Sequence, residues 1–257
     1  MINDKKDYTG QEVVQTSSDV QKKENVKVVV TKDGPYLVTG GLPLAKEIIV
    51  TDDHGVPLEW SKGEEFPVQE TYALCRCGQS KNKPYCDGTH TETGFNGTES
   101  ASGKKYLELA NKIPGPGVDL TDAPELCAMA RFCHRAGGIW DLVKFTDDPE
   151  IRELAIKIAG NCPSGRLVMW DKTTGKPIEP KFVPSVSLVE GPKEEALGPI
   201  WLKGGIPFES SEGFKYETRN RVTLCRCGRS GNKPYCDGTH THKDYVKEIK
   251  DLIHKIF

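Results

Sequence analysis

The sequence predicts an α+β, β-rich fold in which two copies of one sheet-forming unit flank a small helical insert. Three observations carry that prediction. A segment of eighteen residues occurs twice, at 74–91 and 224–241, and only Gln79/Arg229 and Lys81/Gly231 differ between the copies. A looser segment precedes each copy: Gly34-Pro-Tyr-Leu-Val-Thr-Gly-Gly-Leu-Pro-Leu44 and Gly198-Pro-Ile-Trp-Leu-Lys-Gly-Gly-Ile-Pro-Phe208. Between the copies lie two Pro-containing, acidic helix starts that belong to neither. Repetition at this scale duplicates a whole unit, not just a loop.

From the N-terminus, residues 1–25 are polar and charged and predict a mobile arm. Val26-Lys-Val-Val-Val30 and Tyr36-Leu-Val38 predict short strands around a turn at Asp33-Gly-Pro35. They open a first unit, 26–110, which is repeated as a second, 183–257. The linker differs: 41 positions from Gly34 to Cys75, against 27 from Gly198 to Cys225. In the central segment, 111–182, Thr121-Asp-Ala-Pro-Glu125 supplies a cap, an early Pro and an acidic first turn. Thr146-Asp-Asp-Pro-Glu150 does the same for a second helix, with Ile151, Leu154, Ala155 and Ile158 on one stripe and a stop at Gly160-Asn161. Over 243–257, Val246, Ile249, Leu252, Ile253 and Ile256 recur at helical spacing and predict an amphipathic helix that packs on its own domain.

Apolar residues make up 36%, beside 26 Gly and 17 Pro, so a modest core helped by metal sites is expected. A net charge of -2 gives no case for binding nucleic acid or a membrane surface. No apolar run is long enough to span a bilayer, and Met1–Tyr8 lacks the apolar stretch of a secretion signal. A soluble, cytoplasmic protein is expected. No nucleophile–base set, phosphate loop or dinucleotide fingerprint is present, so the expectation is a carrier, not an enzyme.

The chain has nine cysteines. Cys75-Arg-Cys77 and Cys225-Arg-Cys227 would close tight, strained rings as disulfides, so reduced thiolates held as metal ligands are the easier reading. Each copy offers three thiolates and one imidazole: Cys75, Cys77, Cys86 and His90, then Cys225, Cys227, Cys236 and His240. Four such donors are a complete set for a metal centre. Cys86 and His90 are four apart, and with Asp87 capping a helix both reach one point from its first turn. Gly88 lets the backbone approach a bulky centre. Zinc is the rival, although its first cysteine pair is usually spaced by two to four residues rather than one.

The pattern Cys-x-Cys-x2-Ser-x3-Pro-x-Cys-Asp-Gly-Ser/Thr-His resembles that of the CDGSH iron–sulfur (NEET) family, with Thr89 and Thr239 at the Ser/Thr position. The resemblance covers about sixteen residues per copy, and the Gly-Pro…Gly-Gly segments are more loosely similar to the family's β-cap strands. It implies one 2Fe-2S cluster per copy. Cys75 and Cys77 then hold one iron, Cys86 and His90 the other; in the second copy the pairs are Cys225 with Cys227 and Cys236 with His240. Single-motif members form dimers with two clusters. A tandem chain is therefore expected to build both halves itself, as a monomeric intramolecular pseudo-dimer. The implied function is one-electron transfer with a redox partner. The alternatives are labile cluster storage or transfer to an apo-protein acceptor, redox or pH sensing, and a structural zinc protein.

A neutral imidazole in place of a thiolate removes one negative charge and favours reduction. Protonating it competes with iron, so acid should loosen the cluster. Ser80 and Ser230 are candidate donors to the cluster sulfurs, and Lys83 and Lys233 either offset its charge or are solvated loop residues.

Cys127, Cys133 and Cys162 remain. Cys-x5-Cys…Cys-Pro resembles single-cluster bacterial ferredoxins in which the middle cysteine is replaced, here by Ala130. That implies an additional 3Fe-4S or 4Fe-4S cluster, with His134 a candidate fourth ligand. Against it, Glu125–Arg135 reads as a continuous helix, on which residues six apart point about 120° away from each other. Buried structural cysteines are then the competing reading.

Overall fold

The computed structural model describes residues 25–191 and 197–241. The arm, save Asn25, and the C-terminal amphipathic helix lie outside the described residues.

The valine-rich Lys27–Val30 (β1) and Tyr36–Thr39 (β2) pair antiparallel, Val28 opposite Val38. Asp33 turns the chain between them at φ 47°. Leu44–Thr51 (β3) and Pro57–Phe66 (β4) form a long hairpin, and Thr71–Leu74 (β5) returns to pair with β2. The central segment contributes Asn111–Ile113 (β6), Val118–Asp122 (β7), Leu167–Asp171 (β8) and Pro177–Ile178 (β9). The second copy supplies Ser185–Glu190 (β10), Leu197–Lys203 (β11), Phe208–Glu209 (β12) and Arg221–Leu224 (β13). The first copy's longer linker is the β3–β4 hairpin; at the equivalent place the second has only the two-residue β12.

The two copies exchange strands. One sheet runs β12-β1-β2-β5 and the next β13-β11-β10-β3-β4. β1 takes β12 as a parallel neighbour, Val28 beside Phe208, and β10 takes β3, Val186 beside Leu44. Each copy's third strand thus completes the other copy's sheet. Alternation along the strands then turns one residue in two inward. Val28, Val30, Tyr36, Val38 and Leu74 meet Val186, Leu188, Ile200, Leu202 and Leu224 in a single core shared by both copies. This is the pseudo-dimer within one chain.

The insert is more than helical. β6-β7-β8-β9 form an antiparallel sheet covered by helices Ile139–Leu142 and Pro149–Gly160. Asp148 caps the longer helix, accepting from the amides of Glu150 and Ile151, and Ala155 and Ile158 are buried against Leu120 and Met169. The other expected helix is absent. Pro124–Leu126 is a single 3-10 turn, and Met129 and Arg131 sit at φ 57° and 65°, where a right-handed helix cannot continue. The reason lies in the packing. Leu126 is buried with Tyr106, Ala123 and Val168, while Phe132 is buried with Ile49, Val189 and Trp201. The chain bends to reach two separate clusters. Among the described residues no helix is long and apolar enough to cross a membrane.

Candidate metal centres

Each repeated segment folds into a loop hung from the end of a strand. Leu74 in β5 bridges to Tyr85, the Cys75 amide donates to Pro84 O at 2.9 Å, and the Cys86 amide donates to Ala73 O at 2.9 Å. In the second copy Leu224 bridges to Tyr235, the Cys225 amide donates to Pro234 O at 2.8 Å, and the Cys236 amide donates to Thr223 O at 2.9 Å. The donors emerge from this scaffold in pairs. Cys75 Sγ and Cys77 Sγ are 3.7 Å apart, and Cys86 Sγ lies 3.3 Å from His90 Nδ1. The matching separations are 3.8 Å for Cys225–Cys227 and 3.4 Å for Cys236–His240. Among the described residues, no three His, Cys, Asp or Glu side chains surround one point as ligands of a single ion would.

Asp87 accepts from the amides of Thr89 and Lys81, closing the turn that carries Cys86 and His90. Ser80 and Ser230 do not serve as the sequence suggested. The Ser80 hydroxyl donates to Tyr85 O at 2.7 Å and accepts from the Asn82 amide; Ser230 does the same with Tyr235 and Asn232. Both are spent on the shape of the loop. The exposed Lys83 and half-buried Lys233 donate to the Ser80 and Ser230 carbonyls at 2.7 Å.

Sequence reasoning passed over the arginine between the paired cysteines, although it is the same residue in both copies. Arg76 is 1% exposed and donates to the carbonyls of Thr31, Gly34 and Gly97. Arg226 donates to Gly198 O and Val189 O and pairs with Glu190 at 2.9 Å. Each bolts its cysteine pair to the surrounding backbone carbonyls. Burial pushes Cys236 up to about 12 and raises Cys77. In the second pair the contact between the two thiols, ahead of burial, raises Cys225 and lowers Cys227. A bound cation therefore displaces protons as it enters.

The two loops touch back to back. A Cβ placed on Gly78 would lie 2.7 Å from Cys227 O, and one on Gly228 would lie 2.5 Å from Cys77 O. Both glycines have φ near 78°. Tyr36 of the first copy crosses over and donates to Cys225 O at 2.9 Å; its counterpart in the second copy is Ile200.

Cys127, Cys133 and Cys162 converge on one cavity, together with Met129, Ala130 and Arg166. The bend that replaced the expected helix brings them there. Burial, then the neighbouring Cys162, pushes Cys133 up to about 12. Arg166, anchored on Asp122 at 2.6 Å, supplies a cation beside the sulfurs. The donor set suits a thiolate-ligated cluster. The space among them is about 20 Å³, room for one water-sized body. His134 does not line the cavity; its ring stands edge-on to Trp140 at 5.9 Å.

Residues 33–91 and 197–241 each match the family model for iron-binding zinc fingers of CDGSH type, and residues 113–172 match that for a divergent 4Fe-4S mono-cluster. No curated protein and no solved structure matches the chain.

Proposed function

We propose, for an iron–sulfur protein that carries two CDGSH-type units around a divergent 4Fe-4S segment, one-electron transfer through a 2Fe-2S cluster in each unit. The observation that supports this most is the pairing of donors. A cysteine pair and a Cys–His pair in each loop suit two metal ions better than one, which argues for a two-iron cluster over tetrahedral zinc. Such a cluster takes up and gives back a single electron. Cys75 and Cys77 would hold one iron and Cys86 and His90 the other, with Cys225, Cys227, Cys236 and His240 repeating the arrangement. As ligands, neutral His90 and His240 lessen the negative charge and favour the reduced state. Burial of Cys75, Cys77, Cys225 and Cys236 keeps water from these ligands.

The test is metal and sulfide analysis of protein purified anaerobically. About four irons with four sulfides are expected from the two motifs, and about seven or eight irons if Cys127, Cys133 and Cys162 also hold a cluster. Colourless, zinc-loaded protein overturns the proposal. A second reading, delivery of a labile cluster to an apo-protein, is favoured by the half-exposed Cys86–His90 end of the first loop. It requires transfer to an apo-ferredoxin that proceeds faster than spontaneous loss.

A further inference from the structure

Among the described residues, the central segment lies against the second CDGSH loop at Gly238 and Asn232, with no matching contact at Gly88 of the first. Gly238 stands between Cys236 and His240 and is buried; a Cβ there would overlap Met129 Cγ and come within 3.2 Å of Cys127 O. At Gly88, the same position in the first copy, a Cβ would meet nothing among the described residues within 4 Å. The rest of the second loop is covered too. Asn232 Nδ2 donates to Glu125 O at 2.9 Å, Ser100 Oγ donates to Gly231 O at 2.8 Å, and the amides of Ser100 and Ala101 both donate to Lys233 O. The consequence is local to this end of the loop: Cys236 is 3% exposed whereas Cys86 is half-buried, while at the other end Cys227 is half-buried and Cys77 buried.

Met129 occupies this position at a conformational cost. A left-handed φ of 57° is disfavoured for any side chain larger than glycine's. That backbone turn lays the thioether between the second motif and the central cysteines, with its sulfur 3.7 Å from Cys127 Sγ. Met129 is 41% exposed, so its flexible, apolar chain lies over Gly238 on one side and meets solvent on the other.

We propose that Met129 caps the second CDGSH site and makes it the retained one, while the uncapped first site exchanges its metal with solution and with thiol-bearing acceptors. This deepens the reading of both motifs as metal centres and rests on it. Among the described residues none stands over Gly88 as Met129 stands over Gly238, so iron can leave the Cys86 end for an acceptor without the Met129 loop lifting. At Cys236 and His240 the same exchange first requires the Met129 loop to lift.

The test is bleaching of the anaerobically loaded full chain by an excess of a small iron chelator, followed by visible absorbance. Two phases are expected from the motifs. H90C slows the fast phase and leaves the slow one; H240C does the reverse. Bleaching that neither variant moves belongs to the central cysteines. M129G suits the left-handed backbone and so preserves the fold. It should accelerate the slow phase alone by about tenfold, equivalent to about 1.4 kcal/mol of opening free energy. M129L, which restores an apolar cap, should bleach at the original rates. A slow phase unmoved by M129G, or a fast phase that H240C slows, overturns the proposal. Colourless protein defeats the metal reading instead, and the cap is then tested with iodoacetamide on the same full chain. Cys86 must be alkylated faster than Cys236; equal rates overturn the cap.

Discussion

The close approach of Gly78 to Cys227, mirrored by that of Gly228 to Cys77, ties the two loops together. In G78A, the added Cβ would sit 2.7 Å from Cys227 O, 2.9 Å from Cys227 C and 3.0 Å from Cys227 Cα. All three are backbone atoms, so nothing yields by a simple rotamer change. Two effects add: about 1 kcal/mol for alanine at a left-handed φ, and about 2 kcal/mol for overpacking a closed contact. G88A is the control. Its φ of 89° carries the same backbone penalty, but the new methyl enters open space. At about 3 °C per kcal/mol for a chain of this size, G78A should lower Tm by about 9 °C and G88A by about 3 °C. Differential scanning calorimetry of both proteins in the same metal-loaded state measures the gap. G78A and G228A share one interface, so the double variant should lose less than the sum of the singles. Equal losses in G78A and G88A would refute the reasoning, because the close approach of the two loops would then carry no energy.

H90C should lower the midpoint potential of the first site by on the order of 100 mV, since it restores one negative charge, and should slow loss of its colour in acid; potentiometry and stopped-flow absorbance measure these. Y36F leaves Cys225 O and Pro234 O without the hydroxyl that serves them, for a loss of about 1–3 kcal/mol in chemical unfolding. Because Tyr36 reaches the second loop, the spectroscopic signature of that site should shift more than that of the first. D148A removes the cap of the 149–160 helix and should destabilise the protein by about 1 kcal/mol, with no change in visible absorbance.

What could be read from the sequence was what is written locally. The duplicated donor spacing, the β1–β2 turn at Asp33 and the Asp148 cap each occupy a few consecutive residues. The exchange of strands is not written this way, because nothing in Val26–Val30 names Phe208 as its neighbour. The 125–135 stretch misled for a related reason. Its apolar spacing suits a helix, yet Leu126 and Phe132 belong to different clusters, and tertiary packing overrode the local preference. Ser80 and Ser230 were assigned outward by chemistry alone; the loop itself consumed their hydroxyls. Arg76 and Arg226 were legible in principle, as a buried cation repeated at the same place in both cysteine pairs.

Strand exchange also sets a schedule for synthesis. Lys27 and Glu209, which form an ion pair across the β1–β12 junction, are 182 positions apart. A ribosome adding 5–20 residues per second needs roughly 10–40 s to travel that distance. Through that interval β1 and β3 have emerged with open parallel edges and no partner to cover them. The first CDGSH unit therefore reaches its final sheet only when the second has been made. A chain arrested between the repeats would present bare sheet edges to its neighbours.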